Sequence, residues 1–218
     1  MWKLKHKNLR KKINKSFWRK YFFVQFFSEL ICWNCGLQTR KKILKIVLAS
    51  RNSGKLKEFN YLFKNTNIEL IPISKFSNED IAETGNSYEE NAFIKAKYAA
   101  EITGLPSLGD DSGLEVESLD GAPGIFSARY SGKKGNDSLN NQKLLKEISL
   151  KKNRSAKFVS ILSFLDPELK NPFFSYGELF GKIIDSPKGK GGFGYDPIFQ
   201  VKNSNLILAE ISKTEWMR

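Results

Sequence analysis

The sequence predicts an α/β fold, a mixed sheet flanked by helices, and three observations point to that class. From residue 43 onward, short apolar β-branched runs alternate with segments of helical periodicity. Turn clusters rich in Ser, Asn and Gly separate these runs at short intervals. The last two strand candidates are long and carry apolar residues at odd and even positions alike, which predicts strands covered on both faces.

The elements follow in order. Residues 43–49, Ile-Leu-Lys-Ile-Val-Leu-Ala, read as a buried strand ending at the turn Ser50-Arg51-Asn52-Ser53-Gly54. A helix over 55–64 places Leu56, Phe59, Leu62 and Phe63 on one face. A second strand covers 68–73. Ser87-Tyr-Glu-Glu90 is a capping box for a helix running to about 102, with Gly104 as its stop. Its Ala92, Ala96, Ala99 and Ala100 suit close packing on a sheet. An acidic turn at Gly109-Asp110-Asp111-Ser112 then leads into a strand over 113–118. A Gly- and Ser-rich loop fills 119–134 and a helix 136–150, and paired strands cover 156–165 and 173–184.

The formal charge of +13 suggests a nucleic-acid partner until its distribution is examined. From Met1 to Lys45, thirteen Lys and Arg residues face the single acid Glu29. Of 36 basic and 23 acidic residues, the remainder therefore holds 23 and 22, and is almost neutral. Residues 1–44 are read as a basic extension and 45–218 as the working domain, and no nucleic-acid partner is expected. The extension's apolar stretch after Tyr21 is shorter than the roughly 20 residues of a membrane span, and Gln25 and Glu29 interrupt it. A membrane-surface segment and an organellar presequence stay open for it. An extension without a role is the preferred reading, because the chemistry further on needs nothing from it. Cys32 and Cys35 form an isolated C-x-x-C with only His6 as a further soft ligand, too few for a structural zinc. A reducing, cytoplasmic setting is the expectation.

Three constellations carry chemistry. In the first, a strand, Ser50-Arg51-Asn52-Ser53-Gly54-Lys55 and a helix form a turn whose backbone N–H groups and helix dipole suit an anion, with Lys55 adding a full charge. It is not a Walker A loop, because Ala49 and Leu56 stand where Gly and Ser or Thr are required. A capped turn with a solvated lysine is the plainer alternative. In the second, Asp110 and Asp111 sit at a strand end, with Glu83 on a turn before the capped helix. Adjacent carboxylates raise each other's pKa unless a cation neutralises them, and oxygen-rich acidic sites suit Mg²⁺. An ordinary polar turn is the plainer alternative here. In the third, Gly191-Gly-Phe193-Gly194-Tyr195-Asp196-Pro197 leaves bare backbone beside two aromatic rings. One ring can stack on a base and the carboxylate can accept hydrogen bonds from its edge.

Together these motifs resemble the inosine triphosphate pyrophosphatase family, hydrolases that clear non-standard purine nucleoside triphosphates such as ITP, dITP and XTP. The match runs from Lys45 to Glu215 through Ser50-x-Asn-x-Gly-Lys55, Glu83-Thr-Gly85, Glu90-Asn-Ala92 with Lys95-Ala96, Gly109-Asp-Asp-Ser-Gly113, Gly121-Ala-Pro-Gly124 with Ser127-Ala-Arg-Tyr-Ser-Gly132, and the 191–197 loop. The resemblance implies a homodimer and an elongated, two-lobed domain with a central nucleotide cleft. It implies Asp111 as general base, Glu83 and Asp111 at a magnesium ion, and residues Ser50 to Lys55 on the triphosphate. Lys95 and Arg129 are further cations, Ser112 lies beside the nucleotide, and Phe193, Gly194, Tyr195 and Asp196 grip the base.

Beyond Glu215 the match departs from the family, which continues with a Lys, a Ser-His-Arg motif and a closing helix; here Trp216 stands at the Lys position. The expectation is a domain lacking its C-terminal end and two donors to the base. A weakened or inactive nucleotide-binding protein with a basic anchor is the competing reading, and a pyrimidine- or methylated-nucleotide pyrophosphatase of the same fold is a third. Each lost charged hydrogen bond is worth about 1.5–3 kcal/mol. The kcat/KM preference for inosine over adenosine triphosphate is therefore expected to be smaller than in a family member that carries the motif. Parallel kinetics on both substrates check this.

Overall fold

In the computed structural model the described residues are 43–132, 135–169 and 171–211. Residues 1–42 of the basic extension, the two cysteines among them, and Trp216 lie outside them. The described chain divides into two compact units, one formed by residues up to Asp111 together with Ile161–Tyr176, the other by Ser112–Ser160 and residues from Gly177 onward.

Six strands form one mixed sheet. They are β1 (Leu44–Leu48), β2 (Ile68–Pro72), β3 (Ser107–Val116), β4 (Ser155–Leu165), β5 (Phe173–Ile183) and β6 (Phe199–Val201), in the order β2-β1-β3-β4-β5-β6. Strand β1 pairs parallel with β2, from Leu44↔Ile68 to Leu48↔Pro72, and parallel with β3 at Val47↔Ser107 and Leu48↔Leu108. Strand β6 runs antiparallel to β5. The helices are α1 (Ser53–Leu62), α2 (Tyr88–Thr103) and α3 (Asp137–Ile148).

In the first unit, the chain leaves β1 for β2 through α1 and returns from β2 to β3, on the other side of β1, through α2. Right-handed crossovers in opposite directions put these helices on opposite faces of the sheet. Side-chain parity agrees. Ile46 and Leu48 pack with Phe59 and Phe63 of α1 and its border, whereas Val47 and Ala49 pack with Ala99 of α2. Leu108 of β3 belongs to the α1 face.

The capping box is present with one change. Ser87 Oγ accepts from Glu90 N–H at 3.1 Å, but the Glu90 carboxylate reaches back to Asn86 N–H at 2.7 Å. Gly104 closes α2 in the left-handed region, φ 64°, donating to the Ala100 carbonyl. The alanine face of α2 meets its complement in Gly109. A Cβ there would lie 2.0 Å from the Ala92 carbonyl oxygen and 2.7 Å from the Ala96 nitrogen. Helix backbone therefore rests directly on strand backbone.

The second unit has its own core, where Leu144 and Ile148 of α3 pack with Leu114, Val116, Leu179, Ile183, Ile198 and Phe199.

Two expectations are corrected here. The acidic segment is not a turn: Asp110 and Asp111 lie inside the ten-residue strand β3, because Gly109 serves the helix contact and does not end the strand. Strand β5 is not covered on both faces. Its pairing with β6 spans only Gly181–Ile183, so the preceding stretch is a sheet edge, and Phe173, Tyr176 and Phe180 are exposed.

Gly109→Ala is expected to lower the unfolding free energy by about 3 kcal/mol, the upper part of the usual overpacking range, since the obstacle is backbone. Urea denaturation measures it, and an unchanged midpoint would contradict the helix–strand contact.

Candidate active site

The first unit brings together Lys55, Glu83, Asn91, Lys95, Asp110 and Asp111. Adjacent residues on a strand point to opposite faces. Asp110 shares parity with Leu108 and faces α1, where Lys55 meets its Oδ2 at 2.7 Å. Asp111 shares parity with Gly109 and faces α2, where Lys95 Nζ meets its Oδ1 at 2.8 Å. Lys95 also reaches Glu83 Oε1 at 2.7 Å and donates to the Asp110 carbonyl at 3.0 Å. One ammonium thus spans the turn carrying Glu83 and the strand carrying both aspartates.

The cluster lies at a defined place in the topology. The β1–β3 pairing ends at Leu48↔Leu108, with one further bond from Ala49 N–H to the Leu108 carbonyl. Asp110 and Asp111 come just past it, at the carboxyl end of β1. Here the chain turns toward opposite faces on either side, the switch point where open α/β sheets bind ligands.

Asn91, one turn before Lys95 and wholly buried, was not anticipated from the sequence. Its Oδ1 accepts Gly85 N–H at 2.9 Å and its Nδ2 donates to Asp111 Oδ2 at 3.3 Å. It ties the Glu83 turn to β3. The i, i+4 spacing of Asn91 and Lys95 on a helix held against the Asp-Asp strand was the available signal.

Three carboxylates face two lysines in this ion-paired set, which leaves one negative charge in excess. The protonation equilibria follow. Burial works against the Lys95 ammonium, but Asp111 and Glu83 outweigh it and raise its pKa above the ordinary value. For Asp111 burial is the largest influence and pushes the pKa up. Lys95 and Lys55 pull it down and Glu83 adds to the rise, and the net shift is upward from the ordinary 3.8.

The Ser50–Lys55 turn is more self-contained than the sequence suggests. Asn52 caps α1, its Oδ1 accepting from Gly54 N–H at 2.8 Å and Lys55 N–H at 3.2 Å. Two amides expected to cradle phosphate are thereby engaged. Ser50 Oγ accepts Asn52 N–H, and Arg51 donates to the Asn78 and Ser77 carbonyls at 2.6 and 2.7 Å. Ser53 opens the helix, and Lys55 is its third residue, not its first. The charge that this turn presents is the Lys55 side chain.

In the second unit, Phe193 is exposed while Tyr195 is buried in the core, its hydroxyl donating to the Ser127 carbonyl at 2.9 Å. Tyr195 is therefore a core residue, correcting its assignment to a base-stacking surface. Asp196 Oδ2 accepts Phe193 N–H at 2.9 Å and shapes its own loop. Arg129 ends a short 3-10 turn with its guanidinium 5.2 Å from the Phe126 ring centre. Ser112 is half-buried on β3.

Among the described residues, no three His, Cys, Asp or Glu side chains form a ready-made metal cage. The donor set still fits Mg²⁺, which is commonly held by one or two carboxylates and the substrate's phosphates. Glu83 and Asp111 already converge on one cation, and the cluster is one positive charge short.

The Ham1 family model matches residues 46–218. A dITP/XTP pyrophosphatase of Coxiella burnetii is 45% identical over 176 residues, covering 79% of this chain and 88% of that protein. One from Geobacter sulfurreducens is 45% identical over 170 residues, covering 77% and 85%. Among solved structures, a HAM1 protein from Coxiella burnetii superposes with a TM-score of 0.73 at 44% identity, covering 79% of this chain and 89% of that one. The chain belongs to the Ham1 family.

A raised carboxylate pKa means that the folded state holds its proton to higher pH than the unfolded chain. Asp111 therefore takes stability away as pH rises from 3.8 through its folded-state pKa, and the loss is complete above it. In metal-free buffer at neutral pH, Asp111→Asn is expected to melt no lower than the wild type. Lys95→Met strands the buried Asp111 and the partly buried Glu83 and is expected to cost about 3 kcal/mol, the lower end for breaking a buried pair. Thermal and urea unfolding of both variants with a chelator present test the contrast.

Proposed function

We propose that this chain hydrolyses non-standard purine nucleoside triphosphates, dITP and XTP among them, to the monophosphate and pyrophosphate. The carrying observation is the buried Lys55–Asp110 and Glu83–Lys95–Asp111 network, on a chain 45% identical to a dITP/XTP pyrophosphatase. Such a network suits phosphoryl chemistry, in which catalysis is mainly positioning and charge compensation.

Asp111 is the proposed general base. It takes a proton from the water that forms the new bond to the α-phosphorus as the bond to pyrophosphate breaks. Its raised proton affinity, caused first by burial, makes it a better acceptor than an exposed carboxylate. Lys55 offsets the charge of the polyphosphate, moving between Asp110 and the incoming oxygens. Lys95 holds Glu83 and Asp111 at a fixed separation, so its proposed role is to set the carboxylates rather than to reach the triphosphate. Asn91 orients the second oxygen of Asp111. Glu83 and Asp111 are the proposed holders of magnesium. That ion, when bound, would add compensation of phosphate charge and make nearby water more acidic. Phe193 is the proposed stacking ring for the base.

A homodimer working in the cytoplasm belongs to the same proposal. No helix among the described residues is long and apolar enough to cross a membrane.

Pyrophosphate release from dITP, XTP, ATP and dTTP with Mg²⁺ tests the reading. The wild type is expected to prefer dITP and XTP, and Asp111→Asn to lose at least about 10²-fold in kcat, the smaller end of a general base's usual contribution. Mg²⁺ is expected to raise the wild-type melting temperature and to leave Glu83→Gln nearly unchanged. A wild type no faster than Asp111→Asn on every substrate would instead mark a binding protein.

A further inference from the structure

The loop carrying Phe193 is held by two side chains of α3 that no part of the proposed chemistry uses. Gly194 N–H donates to Asp137 Oδ2 at 2.7 Å, and the Gly194 carbonyl accepts from Asn141 Nδ2 at 3.0 Å. Asp137 and Asn141 are i and i+4, on one face of the first turns of α3, so one helix face grips both polar groups of a single glycine. Gly194 itself has φ 61°, a conformation that side chains rarely adopt. The residue before it is Phe193, whose own N–H is taken by Asp196 at 2.9 Å. The N–H groups of both peptides flanking the ring are therefore fixed by side-chain hydrogen bonds, while Phe193 remains 46% exposed.

Asn141 is almost fully buried, and its Oδ1 has no hydrogen-bond partner among the described residues. The orientation of its amide is nevertheless decided, since the reversed amide would set oxygen against the Gly194 carbonyl oxygen. Burying an acceptor without a partner is costly, so a residue kept in this position does something that an apolar side chain could not. Its neighbour Asn140 does a separate job, accepting Ser131 N–H at 2.7 Å and donating to the Ser127 carbonyl. The start of α3 thus splits its polar face between the 127–131 segment and the Phe193 loop.

We infer that Asp137 and Asn141 are positioning residues that clamp Gly194 so that the Phe193 ring is presented in one orientation to the purine of the substrate. The inference rests on the proposed function, and it gives base selection a dependence on two side chains of α3. A clamp of this kind acts on binding. Releasing it lets the ring sample many orientations, which weakens the complex and its transition state alike and leaves the chemical step unaltered.

Steady-state kinetics on dITP with Mg²⁺ test it, using Asp137→Ala, Asn141→Asp and Asp137→Asn. Asn141→Asp is nearly isosteric but turns a donor toward the Gly194 carbonyl into an acceptor. Asp137→Asn keeps an acceptor for the Gly194 amide. The first two are expected to raise KM about tenfold with kcat within about threefold, the scale of one charge-assisted hydrogen bond. The third is expected to stay within about threefold of wild type on both. Hydrogen exchange on the wild type adds a readout that needs no variant to fold: a protected amide at Gly194, with that protection lost in Asp137→Ala. A wild-type KM in Asn141→Asp, a fall in kcat at constant KM, or a freely exchanging Gly194 amide in the wild type would overturn the clamp. A wild type inactive on dITP would overturn the proposed function instead, and the two failures are thereby distinguished.

Discussion

The centre depends on a constraint of strand geometry, that neighbouring residues cannot face the same way. Asp110 and Asp111 are consecutive on β3, so one carboxylate enters each layer of the fold. Each then requires its own cation, because an isolated buried charge costs several kcal/mol. The crossovers supply them: α1 brings Lys55 to one face and α2 brings Lys95 to the other. Had both helices packed on one face, one carboxylate would have had no lysine within reach.

The same constraint explains why the helix contact is so close. A lysine side chain reaching down to a strand and also across to Glu83 has little length to spare. Alanines on α2 and a glycine on β3 bring the two backbones together, so that Lys95 touches the Asp110 carbonyl as well as both carboxylates. The one ammonium thereby joins the turn, the helix and the strand at a single point.

Much of this was legible in the sequence and part of it was not. The capping box at Ser87, the Gly104 stop and the alanine face of α2 are local signals, and local hydrogen bonds decide them. The Asp-Asp pair was recognisable as chemistry, but its flanking glycine looked like a turn; only the position of α2 reveals that Gly109 makes room for a backbone. Asn91 stands in a quoted motif, but its role shows only once its spacing from Lys95 is set against the strand and the Gly85 turn that it joins. The glycines before Tyr195 suggest exposure, whereas the carbonyl that accepts from its hydroxyl belongs to Ser127, 68 residues away in sequence, a contact that only tertiary packing decides. Lys95 was read as a phosphate cation, and what it meets first is a pair of acids.

The bonds made by Asn91 have a consequence for how selectivity is divided. With one oxygen on the Gly85 amide and one nitrogen on Asp111, it fastens turn, helix and strand into a single stiff cassette. A cassette so fastened has little freedom to adapt to the ligand it meets, and polyphosphate is common to every nucleotide. On the proposed function, discrimination among nucleobases falls to a separate element, the Phe193 loop, which α3 holds by its own hydrogen bonds, so that a change of sequence there can retune preference without disturbing the ion pairs of the cassette.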